Sequence, residues 1–156
     1  FSYPFGEYNL EQKNYISNNF EFAFGQHSGV IDLNKDRYEL PRFPINEKYG
    51  EIKRFKDVIS YLPLQYKIIK PENKFMNDGE NPPKMTIEFF KDQKNLENIN
   101  CFSNEGSKWR KTKIVLIDNI LNINFSEKFI ERRGRINCSL KDENGWRFSG
   151  FQFVQN

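Results

Sequence analysis

Histidine occurs once in this chain, at His27, and cysteine twice, at Cys101 and Cys138. A hydrolytic metal site needs about three protein ligands and a water, and one histidine cannot supply it. The two cysteines stand far apart with no Cys-x-x-Cys pattern and no neighbouring histidine, so they do not read as metal ligands. A disulfide or two buried thiols remain. No apolar run reaches the roughly 18 residues that a membrane helix needs. Charge of one sign is also missing: 24 basic and 21 acidic residues leave a net +3. Lys108–Lys113 and Arg132–Arg135 are short basic clusters, not the dense stripe of a nucleic-acid face. The charges therefore read as solvated surface, and no nucleic-acid partner is expected. No Gly-x-Ser-x-Gly elbow is present, so Ser28 beside His27 lacks the geometry of a nucleophile pair. No internal repeat is present.

What the chain does have is aromatic area. Its 16 Phe, 7 Tyr and 2 Trp offset a hydrophobic content of only 37%, since each buried aromatic removes about 150–250 Å² from water. The patterning changes along the chain. In residues 1–69, short apolar phrases alternate with helical stretches. Asn9, with Gln12 three residues on, is a capping box that opens a helix of about ten residues. Glu47 to Leu62 predicts a second helix, with Ile52, Phe55, Val58, Ile59 and Leu62 on one face and Lys53, Arg54, Lys56 and Asp57 on the other. Residues 70–84, with Asn73, Asn77, Asp78-Gly79 and Pro82-Pro83, read as a linker. Residues 85–156 then alternate with period two. Met85, Ile87 and Phe89 are one such run, Leu121, Ile123 and Phe125 another, and Ile136, Cys138 and Leu140 a third. Ile114–Ile117 reads as a buried strand. Trp146, Phe148, Phe151 and Phe153 complete a hairpin, and their change of parity at Gly150 predicts a bulge. The expected fold is α+β: a partial (β/α) barrel segment, then a small antiparallel β-sandwich.

Three phrases near the start organise the first part: Tyr3-Pro4-Phe5-Gly6, Phe24-Gly25-Gln26-His27-Ser28-Gly29 and Glu39-Leu40-Pro41-Arg42-Phe43-Pro44. Each is an apolar run ending in Pro or Gly beside a polar group, as strands do when they pass into loops at a barrel rim. A chain that opens inside such a phrase is expected to be part of something larger. Together with Asn100-Cys101-Phe102, Gly134-Arg135-Ile136-Asn137-Cys138 and Gly145-Trp146-Arg147-Phe148, these phrases resemble the C-terminal half of the polysaccharide deacetylases, the NodB-type carbohydrate esterases, with their β-rich tail. The resemblance covers nearly the whole chain. It implies hydrolysis of N- or O-acetyl groups of a glycan by water activated on a divalent metal, zinc in expectation. The family's Thr-Phe-Asp-Asp phrase and its spaced His pair are absent here. No metal is therefore expected in this chain alone, and its ligands are assigned to an N-terminal barrel half that acts as partner. The resemblance further implies an exported, periplasmic or cell-surface location, and on that ground it favours a Cys101–Cys138 disulfide.

The resemblance also assigns roles. In many relatives an Arg before the Pro of an Arg-x-Pro-Tyr-Gly phrase pairs with the catalytic Asp; that position here is Ser2, and Arg42 from another strand end becomes the candidate. The plainer reading is an Arg that anchors its loop to backbone carbonyls. Tyr3, Pro4, Phe5 and Gly6 resemble the phrase lining the substrate groove, with the Phe5 backbone N–H assigned to the oxyanion and its ring to the sugar. His27 titrates in the range of a general acid, although its phrase departs from the family's, and a polar loop residue is the alternative. Trp109, among basic residues, is a candidate sugar-stacking surface, while Trp146 in its alternating strand is expected in the core. A non-catalytic carbohydrate-binding or assembly module is the competing function.

Overall fold

The structure, a computed structural model, describes residues 1–32, 34–77 and 79–155. Asp78, part of the expected linker, lies outside them. Among the described residues, ten strands form two sheets. The strands are β1 (Leu62–Pro63), β2 (Ile68–Lys70), β3 (Phe75–Met76), β4 (Met85–Glu88), β5 (Asn100–Ser103), β6 (Arg110–Lys111), β7 (Lys113–Ile117), β8 (Ile120–Asn124), β9 (Arg133–Asp142) and β10 (Gly145–Gln155). A four-stranded sheet runs β2-β4-β8-β7 and is antiparallel throughout. The six-stranded sheet runs β1-β10-β9-β5-β6, with β3 also on β10. The period-two residues of both sheets point inward and meet. Met85, Ile87, Leu121 and Ile123 from one sheet pack with Cys101, Ile136, Leu140 and Phe153 from the other, and Phe89 and Phe129 fill between them. That is the sandwich the alternation implies. Burying one such Phe contributes roughly 1.5–3 kcal/mol.

Cys101 and Cys138 stand opposite each other in register on β5 and β9 and are bonded. The bridge closes a separation of 37 residues, which in the chain-entropy account stabilises by about 4 kcal/mol.

The sandwich begins earlier than the change of period indicates. Leu62–Pro63 and Phe75–Met76 both pair parallel to β10, at opposite ends of one edge. The stretch read as a linker thus supplies a sheet strand. The ladder between β9 and β10 is one-to-one from Gly145↔Asp142 to Val154↔Arg133, so no bulge occurs at Gly150. The parity changes because both faces of β10 are covered. Phe151 and Phe153 enter the core, while Phe148 on the other face packs against Phe43 and Tyr61 at ring-centroid distances of 5.4 and 5.6 Å. Two further expectations fail for physical reasons. β7 is an edge strand whose Val115 and Ile117 face solvent. Trp146 is not core: it is 47% exposed, with the Lys141 ammonium over its ring.

Residues 1–61 form a thinner layer against this sandwich. The helix α1 (Leu10–Ser17) opens with the expected capping box, Asn9 and Gln12 bonding each other's backbone N–H. Tyr3, Tyr8, Ile16 and Ala23 make a small second core. The helix α2 (Ile52–Ser60) is shorter than its sequence pattern and buries no residue completely. Arg54 and Val58 are the half-buried positions, and Arg54 donates to the carbonyls of Pro44 and Tyr49. The apolar stripe of Ile52, Phe55 and Ile59 therefore faces away from the body, at 69, 42 and 65% exposure.

The layer joins the sandwich along β10. Gly29 bridges Ser149, Gln152 donates to the Gly6 carbonyl, and Arg132 pairs with Glu7. Gly150 is required at this junction, because a Cβ there would lie 2.3 Å from the Ser28 carbonyl oxygen.

Candidate functional site

The three opening phrases come together. Ser2 bridges Phe24, and Phe24 bridges Leu40, both parallel. These are single isolated bridges, with α1 between the first two segments and no helix between the second and third. Two residues past each bridge, Pro4, Gln26 and Arg42 stand at the same level of the layer. The Arg42 N–H donates to the His27 carbonyl at 3.0 Å and ties the second phrase to the third. Gly6 abuts the second phrase so closely that a Cβ on it would lie 2.5 Å from the Gln26 nitrogen.

At this rim Phe5 is held left-handed (φ 56°) with its ring 68% exposed. For a residue with a Cβ such a conformation costs about 1–3 kcal/mol, and it persists where the surroundings enforce it. Pro4 and Gly6 flank the turn, the Gly6 N–H returns to the Tyr3 carbonyl, and Arg133 donates to the Phe5 carbonyl at 3.3 Å. The Phe5 N–H itself has no acceptor among the described residues. The Tyr3 ring is committed to packing: it is 3% exposed and stacks on Tyr8 at 4.3 Å.

Arg42 is exposed, and its guanidinium has no carboxylate within 4 Å and bonds no carbonyl among the described residues. The loop-anchoring role falls instead to Arg54. Arg135 on β9 lies near enough for Arg42 to disfavour its charge. Burial lowers the Arg135 pKa most, Arg133 adds to that, and Arg42 contributes last. The Arg135 Nε is buried without a partner among the described residues. The rim thus carries a strained aromatic turn with a free N–H and a group of guanidiniums not fully matched by acids.

His27 points elsewhere. Its ring folds back over Gly25 and lines a cavity between the layer and the sandwich. Burial, with the Lys35 and Lys74 ammonium groups adding to it, pushes its pKa down to about 3. A general acid must be protonated near neutrality, and His27 is not. Trp109 is 53% exposed as expected, but it precedes β6, the edge of the six-stranded sheet opposite the layer. Strand β5 stands between β6 and the β9 segment that carries Arg135, with Ser103 paired to both Arg110 and Ile136. The bonded Cys101 and Cys138 lie in the core and carry no chemistry of the site.

Among the described residues, no group of three or more His, Cys, Asp or Glu side chains stands close enough to hold a metal. No helix is long and apolar enough to cross a membrane. Sequence reasoning missed the lysines of the cavity, Lys13, Lys35 and Lys74, because isolated lysines in polar stretches read as solvated surface. No family model, curated protein or solved structure matches this chain.

Proposed function

We propose that this chain is the C-terminal portion of a polysaccharide deacetylase, contributing one rim of the glycan groove and a β-sandwich accessory unit. The observation that carries the reading is the convergence of the three phrases on one rim through parallel bridges. In this reading residues 1–61 are the last units of a (β/α) barrel. The outward Ile52, Phe55 and Ile59 of α2, with exposed Phe1, Phe20 and Phe22, form the seam against the N-terminal barrel half. On this reading that half would hold the metal with its ligands, and the metal would supply the activated water. This chain's own residues position the substrate. The Phe5 N–H offers a hydrogen bond to the oxyanion of the tetrahedral intermediate, and the Phe5 ring faces the sugar. Arg42 orients the catalytic carboxylate of the other half by a bidentate fork. His27 has no part in the reaction.

The test is acetate release from a short N-acetylated amino-sugar oligomer by the gene's full product with a divalent metal. Release by the full product and none by the isolated chain is expected. The full-length Arg42→Lys variant keeps the charge but loses the fork, and turnover should fall roughly tenfold or more with little change in stability. A full product inactive with zinc, cobalt and nickel alike, or unchanged turnover in Arg42→Lys, overturns the reading. In the first case the exposed apolar seam would favour an assembly module.

A further inference from the structure

The cavity of about 310 Å³ between the layer and the sandwich is separate in chemistry from the rim, and its lining includes Lys13, Lys35, Lys74, Glu39, Tyr66 and Gln152. Its volume is at the small end of ligand pockets, which suits one monosaccharide-sized molecule. Its ammonium groups are unequally matched. Lys13 is fully engaged, at 2.9 Å from Asp36 and 2.7 Å from Glu39. Lys67 at the edge is paired with Glu88. Lys74, only 12% exposed, has no closer acid than the already shared Glu39 at 3.9 Å. Lys35 has no carboxylate within 4 Å among the described residues; its contacts are the Ser149 hydroxyl at 3.0 Å and the face of Tyr66 at 4.5 Å. Glu72 also lines the cavity, but it is exposed and its charge is screened by solvent.

Three interior ammonium groups thus face three carboxylates, Asp32, Asp36 and Glu39, yet neither Lys35 nor Lys74 makes a close ion pair. Burial lowers the pKa of Lys35 to about 8, with Asp32 opposing the shift, and lowers that of Lys74 as well. An anion beside them would oppose that shift. A second, independent feature is Gln152, 6% exposed, whose Oε1 has no partner among the described residues. Its amide orientation is set, because Nε2 donates to the Gly6 carbonyl at 3.1 Å. The cavity wall therefore combines an enclosed acceptor left unpaired with cations that lack a close carboxylate, and a buried acceptor left unpaired costs about 1–3 kcal/mol.

We propose that this cavity binds a small hydroxylated anion, a sugar acid or a sugar phosphate, with its negative group between the Lys35 and Lys74 ammonium groups and a hydroxyl donating to Gln152 Oε1. The proposal does not rest on the deacetylase reading, since no rim residue takes part in it.

Titration calorimetry of the protein at pH 6.5 with D-glucuronate, glucose 6-phosphate and glucose tests it. One or both charged sugars should bind saturably at one site, and glucose should not; which one binds tells carboxylate from phosphate. Lys35→Gln and Lys74→Gln should each weaken binding at least tenfold, whereas Lys67→Gln should leave it unchanged. Should either variant fail to fold, amide chemical-shift mapping of the unaltered protein serves instead, with perturbations expected at Lys35, Lys74 and Gln152. Absence of binding by both charged sugars, equal binding of glucose, no loss in Lys35→Gln, or shift changes confined to other surfaces would overturn the proposal.

Discussion

The sandwich and the layer in front of it hold nearly equal numbers of aromatic residues, yet the layer packs them into a shorter stretch and leaves more of them outside a core. In the sandwich Phe89, Phe129 and Phe153 are almost wholly enclosed, whereas in the layer Phe1, Phe20, Phe22 and Phe55 are largely exposed. Strand alternation has a built-in partner, because two sheets of one chain can close on each other. A helix stripe closes only if something stands opposite it. In α2 the residues that turn inward are Val58 and Arg54, the latter held by two carbonyls and by the ring of Tyr49 at 5.0 Å. The sandwich closes on its own core, whereas the stripe of α2 faces solvent.

Paired truncations are the strongest way to break this contrast. Phe153→Ala opens a cavity in the sandwich and should cost about 3–5 kcal/mol in chemical denaturation. Phe55→Ala removes a ring from solvent and should cost about 0.5 kcal/mol or less. Comparable losses in the two variants would show that the outer face of α2 is covered within this chain after all.

A smaller effect is expected at the joint between the two regions. Gly150→Ala forces its methyl toward the Ser28 carbonyl and should cost about 1–3 kcal/mol. The sandwich should keep its disulfide and amide protection while residues 25–31 lose protection in hydrogen exchange. Uniform loss across both regions would mean that they unfold as one unit.

The smallest effect is a pH dependence from the cavity. The folded pKa of Lys35, about 8 against the usual 10.5, lies below its unfolded value. Between those values the unfolded chain binds the extra proton, so this group makes stability rise with pH from about 8 upward. Asp32 opposes the shift, His27 is neutral there, and Lys74, also lowered, acts in the same direction. Lys35→Gln should flatten the rise between pH 8 and 10. A wild-type curve already falling across that interval would show that Lys35 keeps its charge in the folded protein.

Much of the sandwich was legible in the sequence because alternation at Met85–Phe89, Leu121–Phe125 and Ile136–Leu140 reports directly which side chains point inward. The Asn9–Gln12 box marked α1 for a similarly local reason. What escaped has no local signature. Strands of two or three residues, such as Leu62–Pro63 and Phe75–Met76, are too short to show a period. A strand covered on both faces, as β10 is, looks like a parity error. The orientation of α2 depends on what Arg54 finds to bond, which spacing alone does not reveal. The rim was legible as three phrases, but their order rests on single bridges, and the cavity joins lysines from positions as distant as Lys13 and Lys74 with a glutamine of β10.

That strand has a consequence for how the molecule is made. Residues 62–63, 75–76 and Gly29 all dock on β10, which a ribosome delivers long after them. Until it emerges, the nascent chain holds unpaired segments and an aromatic-rich layer with nothing to rest on. Assembly of these segments is therefore deferred instead of proceeding from the front.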